Sequence, residues 1–423
     1  MNIGAATARS ASPHDARGAG GRAPLAVLSR ISMQSVVRTT RRSPGVVVAA
    51  AVLGTRLPVL LLGALAVTIV GAIPAPQAEA LWRVSAHELT NMLARWDTFY
   101  YFTIATDGYA WNPAVFHHEN VVFFPLYPML MRGGGALLGG HPLLAGLIVS
   151  LTAFTGALVL LYRLAVLEVG EEYAWRVILL ISTFPFAVFY SAVYTESLFL
   201  LLSVGAFYAM RRGRLGWVVV CGVLAGLARP NGCWLALPLA CLALWPPDRQ
   251  TVDATARPQM RLRSALLAAC VPIIGVAVFS GYLHIRVGDA LAWVHGQAAW
   301  GMPLLGRPSA PDPGKLPGQP SVTAAEVIVY IADIVAFFWA AASIWPITKR
   351  FGLGYGVWIA VNIFPPVVAH LFMSLGRFTS VMFPLFFLLA TRVPRERLMK
   401  MAAAFAVCQA VFAIWFFLWK PVI

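Results

Sequence analysis

Charge is what this sequence has least of. Only 12% of its 423 residues are charged, and 17 are acidic. A soluble domain carries about 25% charged residues, so an ordinary soluble fold is excluded. Cysteine is scarce too. Cys221, Cys233, Cys241, Cys270 and Cys408 form no C-x-x-C and lie in or beside apolar stretches. They read as buried thiols, with neither a disulfide framework nor a metal site behind them. No G-x-x-x-x-G-K-S/T loop or G-x-G-x-x-G turn occurs, which removes support for P-loop and dinucleotide chemistry. There is no D-x-D pair to hold a metal-bound nucleotide sugar, and no N-x-S/T sequon. No internal repeat stands out, which weighs against a transporter built from inverted halves.

What is present is hydrocarbon. Hydrophobic residues make up 59% of the chain and the mean hydropathy is +0.75. Apolar stretches recur at about the length that crosses ~30 Å of lipid. They do not alternate apolar and polar, so a β-barrel is excluded. The class is an all-α polytopic membrane protein. The first span lies within 46–73, interrupted by Arg56 and Pro58. Others fall near 142–166, 177–192, 198–210, 215–228, 231–245, 264–287, 325–345, 352–373, 378–392 and 401–419, about eleven in all. The stretch 123–139, broken by Pro125, Pro128, Arg132 and three glycines, reads as a short interfacial or re-entrant element.

The net charge of +15 does not point to nucleic acid, because the basic residues sit in short clusters between apolar spans. These are Arg163 and Arg176, Arg211 to Arg214, Arg249 to Arg263, Lys349-Arg350 and Arg392 to Lys400. Placed on the cytoplasmic side, they orient the chain and meet membrane lipid headgroups. The Arg-rich segment 1–45 then reads as a disordered cytoplasmic tail, although its composition also resembles a transit peptide. Residues 46–423 form the membrane domain, with outer loops at about 74–122 and 288–324.

The polar chemistry concentrates in those outer loops. Arg95-Trp96-Asp97 follows the first span. Asp97 is placed to act as a general base at an aqueous edge, or simply to cap a helix. Asp107-Gly108-Tyr109 suits a turn with glycine at positive φ. The run Phe123 to Pro128 suits an aromatic belt or the wall of a lipid groove. Glu196 lies between two apolar runs, where a carboxylate either serves function or caps a helix with Thr195 or Ser197. Arg229-Pro230-Asn231-Gly232 breaks another apolar run. Arg377 opens a span from outside, where a cation opposes the helix dipole unless an anion lies near. Phosphate suits its guanidinium fork; snorkelling to headgroups is the alternative. His117-His118 on a loop makes a poor metal site, and no metal or cofactor is expected.

Taken together, these motifs resemble the PIG-V-like mannosyltransferases. The first-loop motifs join Val193 to Phe199, Leu227 to Gly232, Gly288-Asp289, Gln297, Trp300-Gly301 and Gly376-Arg377-Phe378. Arg95 stands where that family often has His, and Phe378 where it often has Tyr. The resemblance runs over about 50–390 and implies a GT-C glycosyltransferase fold. It implies a polyprenyl-phosphate sugar donor, often mannose, and inversion at the anomeric carbon. The acceptor is a lipid, glycan or protein on the outer side. Asp97 and Glu196 are the implied catalytic carboxylates. Arg95, Trp96, Tyr109, Tyr127, Arg229, Gln297 and Arg377 are the implied substrate contacts. The Ala-, Arg- and Gly-heavy composition suits a bacterial inner membrane; a eukaryotic member would sit in the endoplasmic reticulum. A flippase for lipid-linked saccharides, or a non-catalytic subunit of a glycosylation complex, is the competing reading.

Both outer loops should face one side. In a cysteine-free background, Glu88→Cys and Ser309→Cys should each be modified by an impermeant thiol reagent added outside intact cells. Labelling of one without the other would contradict the topology.

Overall fold

The computed structural model describes residues 43–71, 83–112, 119–247, 258–300, 323–420 and 422. The chain divides into Met1–Ser43 and Pro44–Ile423. The expected tail 1–45, the pair His117-His118 and the loop residues 301–322 thus lie almost wholly outside the described residues.

Among the described residues every regular element is helical, the form in which a chain in lipid satisfies its own backbone. Six helices are long and apolar enough to cross a membrane. They are α1 (Pro44–Val70), α4 (Pro142–Val169), α9 (Pro258–Val287), α10 (Ala324–Phe351), α11 (Leu353–His370) and α14 (Arg395–Phe417). Between them lie α2 (Thr98–Thr106), α3 (Leu126–Leu137), α5 (Glu171–Thr183), α6 (Glu196–Arg211), α7 (Leu215–Ala228), α8 (Ala236–Leu244), α12 (Leu375–Ser380) and α13 (Pro384–Arg392).

This departs from the expected eleven spans. The helices α6, α7, α8 and α13 have 16, 14, 9 and 9 residues. At about 1.5 Å per residue, none crosses ~30 Å alone. The apolar run at 177–192 is not one helix. It ends at Thr183 and bends by 80° into a 3-10 segment, Pro185–Ser191. Pro185 gives the reason, since the residue before proline is driven out of helical geometry. Phe184 accordingly has ψ 141.

The break leaves carbonyls without helical partners inside an apolar environment, where each unmet group is costly. Arg56, read from sequence only as an interruption of the first span, meets that need. It is 2% exposed and donates to the carbonyls of Ser182 (2.6 Å) and Ala187. Gln409 on α14 donates to the carbonyls of Ser182 and Phe184 at 3.2 and 3.1 Å. Arg56 also donates to Gln409 Oε1 at 3.3 Å. Three elements, α1, α5 and α14, are thereby tied to the 3-10 segment that leads into Val193-Tyr194-Thr195-Glu196.

The interior is aromatic. Phe207 packs on Tyr355, Trp358 and Phe383, and Phe184 on Trp339, Phe386 and Phe405. A smaller cluster, with Tyr109, Phe124 and Phe279, packs residues of the segment 104–124 against α9. Chain direction then fixes which end carries the polar residues. α6 starts at Glu196 and ends at Arg211, and α7 starts after Arg214 and ends just before Arg229. Glu196 and Arg229 therefore lie at the end of this helix pair opposite its basic turn.

Candidate active site

Two acids and two arginines from distant stretches meet at that end. Arg377 donates from Nη1 to Asp97 Oδ2 at 2.7 Å. Its Nε lies 3.4 Å from Glu196 Oε1. Arg229 donates from Nη1 to the same Glu196 oxygen at 2.8 Å. The result is a chain of alternating charge: Asp97, Arg377, Glu196, Arg229. Two carboxylates face two guanidiniums, so the cluster can be buried without an uncompensated charge.

Local structure sets each position. Asp97 stands at the N-cap of α2, but its side chain makes no capping bond. It reaches across to Arg377, so the capping alternative does not hold. Trp96 just before it has φ 54, a left-handed turn that few non-glycine residues adopt. The Asp97 amide donates to the Tyr194 hydroxyl at 3.0 Å, and Thr98 Oγ1 donates to the Val193 carbonyl at 3.2 Å. These bonds pin the start of α2 to the segment carrying Glu196. Glu196 is the first residue of α6, and neither Thr195 nor Ser197 caps that helix; Ser197 donates instead to the Tyr190 carbonyl. The rings of Phe189, Tyr194 and Phe378 lie 5.6 Å from the Arg377 guanidinium, close enough for cation–π attraction. Burial disfavours the charge on Arg377, but Asp97 and then Glu196 outweigh it and raise its pKa.

Exposure ranks the two acids. The side chains of Asp97 and Arg377 are 13% and 12% exposed, while that of Glu196 is 1% exposed. Asp97 and Arg377 form the reachable rim, and Glu196 lies beneath them. Glu196 Oε2 and the Trp96 indole N–H are both buried without a hydrogen bond.

The other expected contacts fall elsewhere. Arg95 turns away from Asp97 and is 2% exposed. It donates to the carbonyls of Phe417 and Asn91 at 2.9 and 2.7 Å and sits over the Trp419 ring. Its role is to hold the end of α14. Tyr127 is fully buried, donating to the Gly146 carbonyl at 2.8 Å. Tyr109 donates to the Phe123 carbonyl at 2.8 Å, and burial pushes its hydroxyl pKa up. In the run Phe123 to Pro128, Phe124 and Tyr127 are buried, Phe123, Pro125 and Leu126 are half-buried, and Phe123 stacks on Tyr100. The run supports α2 from behind. Gly108 does take positive φ, 90°, in the expected turn. Gln297 is half-buried on the 3-10 turn Gly296–Trp300 and takes no part in these ion pairs. Glu119 accepts from the Asn112 amide, and no group of three or more metal-ligand side chains occurs among the described residues.

One residue escaped the sequence reading. Asp333 on α10 is 2% exposed and accepts from the Gly376 amide at 2.6 Å and the Ser374 amide at 3.1 Å. The available signal was a lone acid inside the apolar run 327–338, where an ionisable group is expensive enough to need a reason.

The ion pairs predict strong coupling. Arg229→Met, which strips Glu196 of its nearer cation, should lower unfolding free energy by about 3 kcal/mol. The double variant Arg229→Met/Glu196→Gln should recover at least ~1 kcal/mol of that. Denaturation of the purified variants in detergent checks this, and strictly additive losses would contradict it.

Residues 77–244 match the family model for Mannosyltransferase (PIG-V). GPI alpha-1,6-mannosyltransferase 2 of Rattus norvegicus is 32% identical over 159 residues, covering 34% of this chain and 30% of that protein. The Homo sapiens protein of the same name is 29% identical over 154 residues, with the same coverage. GPI mannosyltransferase 2 of Cryptococcus neoformans is 25% identical over 201 residues, covering 45% of this chain and 46% of that protein. The chain thus spans less than half the length of these curated relatives. The apo oligosaccharyltransferase of Archaeoglobus fulgidus superposes with a TM-score of 0.41 at 14% identity, over 86% of this chain and 56% of that one. Asp97, Glu196 and Arg229 all fall within the stretch that matches this family model.

Proposed function

We propose that this protein is an integral-membrane glycosyltransferase. It moves a sugar, mannose by family, from a polyprenyl-phosphate donor to a hydroxyl on an extracytoplasmic acceptor, with inversion. The observation that carries this reading is the Asp97–Arg377 pair at the accessible rim of the charged cluster. A transfer of this kind needs a proton acceptor and a cation beside it for the departing phosphate.

The charge bookkeeping fits the reaction. The acceptor oxygen attacks the anomeric carbon and its proton passes to Asp97. The bond from that carbon to the phosphate oxygen breaks, and its electron pair leaves with the phosphate. The donor phosphodiester carries one negative charge and the released monoester gains a second. Asp97 loses its charge as the phosphate gains one. Arg377 exchanges one anionic partner for another, so the net charge of the site does not change during the transfer. Glu196, deeper and shared with Arg229, keeps Arg377 in place during the exchange. A guanidinium can serve both partners because its N–H groups diverge in one plane.

The test is transfer from polyprenyl-phosphate mannose by purified protein. Asp97→Asn, at normal expression and folding, should lower turnover by roughly 10²–10⁴-fold, the contribution of a general base. Arg377→Lys should keep partial activity with weakened donor binding, and Arg377→Ala should lose most activity. Turnover of Asp97→Asn within a few-fold of wild type would remove Asp97 from the mechanism and shift the role to Glu196.

A further inference from the structure

Arg377 is held by more than its ion pairs. It follows a stretch of backbone with unusual geometry. Leu371 has φ 57 and Ser374 has φ 62, so two non-glycine residues in four adopt the left-handed region, which is disfavoured for both. Such conformations persist only where the surroundings enforce them. Ser374 is the N-cap of α12, yet its own side chain makes no capping bond. The amides that need partners there, Ser374 and Gly376, are met from another helix by the two oxygens of Asp333. A Cβ at Gly376 would lie 2.0 Å from the Phe186 ring. The turn is therefore bonded to a carboxylate and packed closely against an aromatic ring, and the next residue is Arg377.

We propose that Asp333 is a positioning residue for the Arg377 guanidinium. It acts through the backbone of Ser374 and Gly376 and touches no reacting atom. Its two acceptor oxygens fix the left-handed turn, which aims Arg377 at Asp97 and Glu196. A neutral asparagine cannot replace it: one oxygen would still accept, but the amide nitrogen would present N–H against a backbone N–H. For donor binding this inference rests on the transfer reaction proposed above; the backbone part stands without it.

Hydrogen exchange and kinetics on the full-length protein separate the two. Asp333→Asn should speed amide exchange in the peptide spanning 371–378, while exchange elsewhere in α10 and α11 stays close to wild type. It should raise KM for polyprenyl-phosphate mannose roughly tenfold with kcat changed by no more than a few-fold, as expected for loss of a hydrogen bond to a charged group. Adding Ser374→Gly should recover much of the KM, because glycine takes φ 62 without the enforcement Asp333 supplies. Gly376→Ala, which presses the turn from the Phe186 side, should produce the same KM rise with Asp333 intact. Unchanged exchange at 371–378 in Asp333→Asn would overturn the clamp. Faster exchange with unchanged donor KM in both Asp333→Asn and Gly376→Ala would overturn its link to Arg377. If Asp333→Asn proves unfolded, failure of Gly376→Ala to raise KM would overturn the proposal by itself. Wild-type protein that turns over no polyprenyl-phosphate sugar would refute the transfer reaction, while the exchange result would still judge the clamp.

Discussion

The position of one guanidinium, Arg377, is the constraint on which the rest of this structure turns. It is bonded to Asp97 and lies 3.4 Å from Glu196, which Arg229 also holds. The four residues come from four separate parts of the chain. None of these charges could be buried alone at tolerable cost; together they form a neutral chain with one end open. Removing Arg377 would leave two carboxylates against aromatic rings with a single cation between them.

The fold meets that requirement by breaking helices where charge must be presented. Pro185 ends α5 and turns the chain toward Tyr194 and Glu196. Arg229-Pro230 ends α7. The left-handed turn at Ser374 starts α12. Each break frees backbone groups that lipid cannot satisfy, and each is met by a buried polar side chain where the structure shows its partners. Arg56 and Gln409 serve the first break, and Asp333 serves the third. The intramembrane polar residues thus pair off with irregular backbone, and the irregular backbone carries the site. Two of the short apolar helices stop at the cluster: α6 begins at Glu196, and α7 ends just before Arg229.

Much of this could be read from the sequence, and the exceptions have physical causes. Asp97, Glu196, Arg229 and Arg377 stood out because an ionisable residue beside an apolar run demands a reason. Their convergence was not legible, since ion pairing across hundreds of residues leaves no local pattern. Arg377 showed a need for an anion, but not that Asp97 supplies it. Arg95, Tyr109 and Tyr127 lie next to or within the recognised motifs, and adjacency in sequence does not give direction in space. Positive φ at Trp96 rotates Asp97 toward the cluster while Arg95 turns to α14. The bend within the run 177–192 was not legible, because apolar length alone cannot distinguish a straight helix from one folded at Phe184-Pro185. Asp333 was visible as a lone acid in an apolar run, but its partners are backbone amides, which carry no signature in the sequence.

The central claim is that Asp97 and the donor phosphate compete for Arg377. Calorimetric titration of a polyprenyl monophosphate into wild-type protein and Asp97→Asn, in matched detergent and salt, tests it without relying on turnover. Removing the carboxylate 2.7 Å from Arg377 frees the cation for the incoming phosphate, and the account predicts binding roughly tenfold tighter in the variant. Equal or weaker binding in Asp97→Asn would mean that the ion pair only holds the fold together, and would contradict the account.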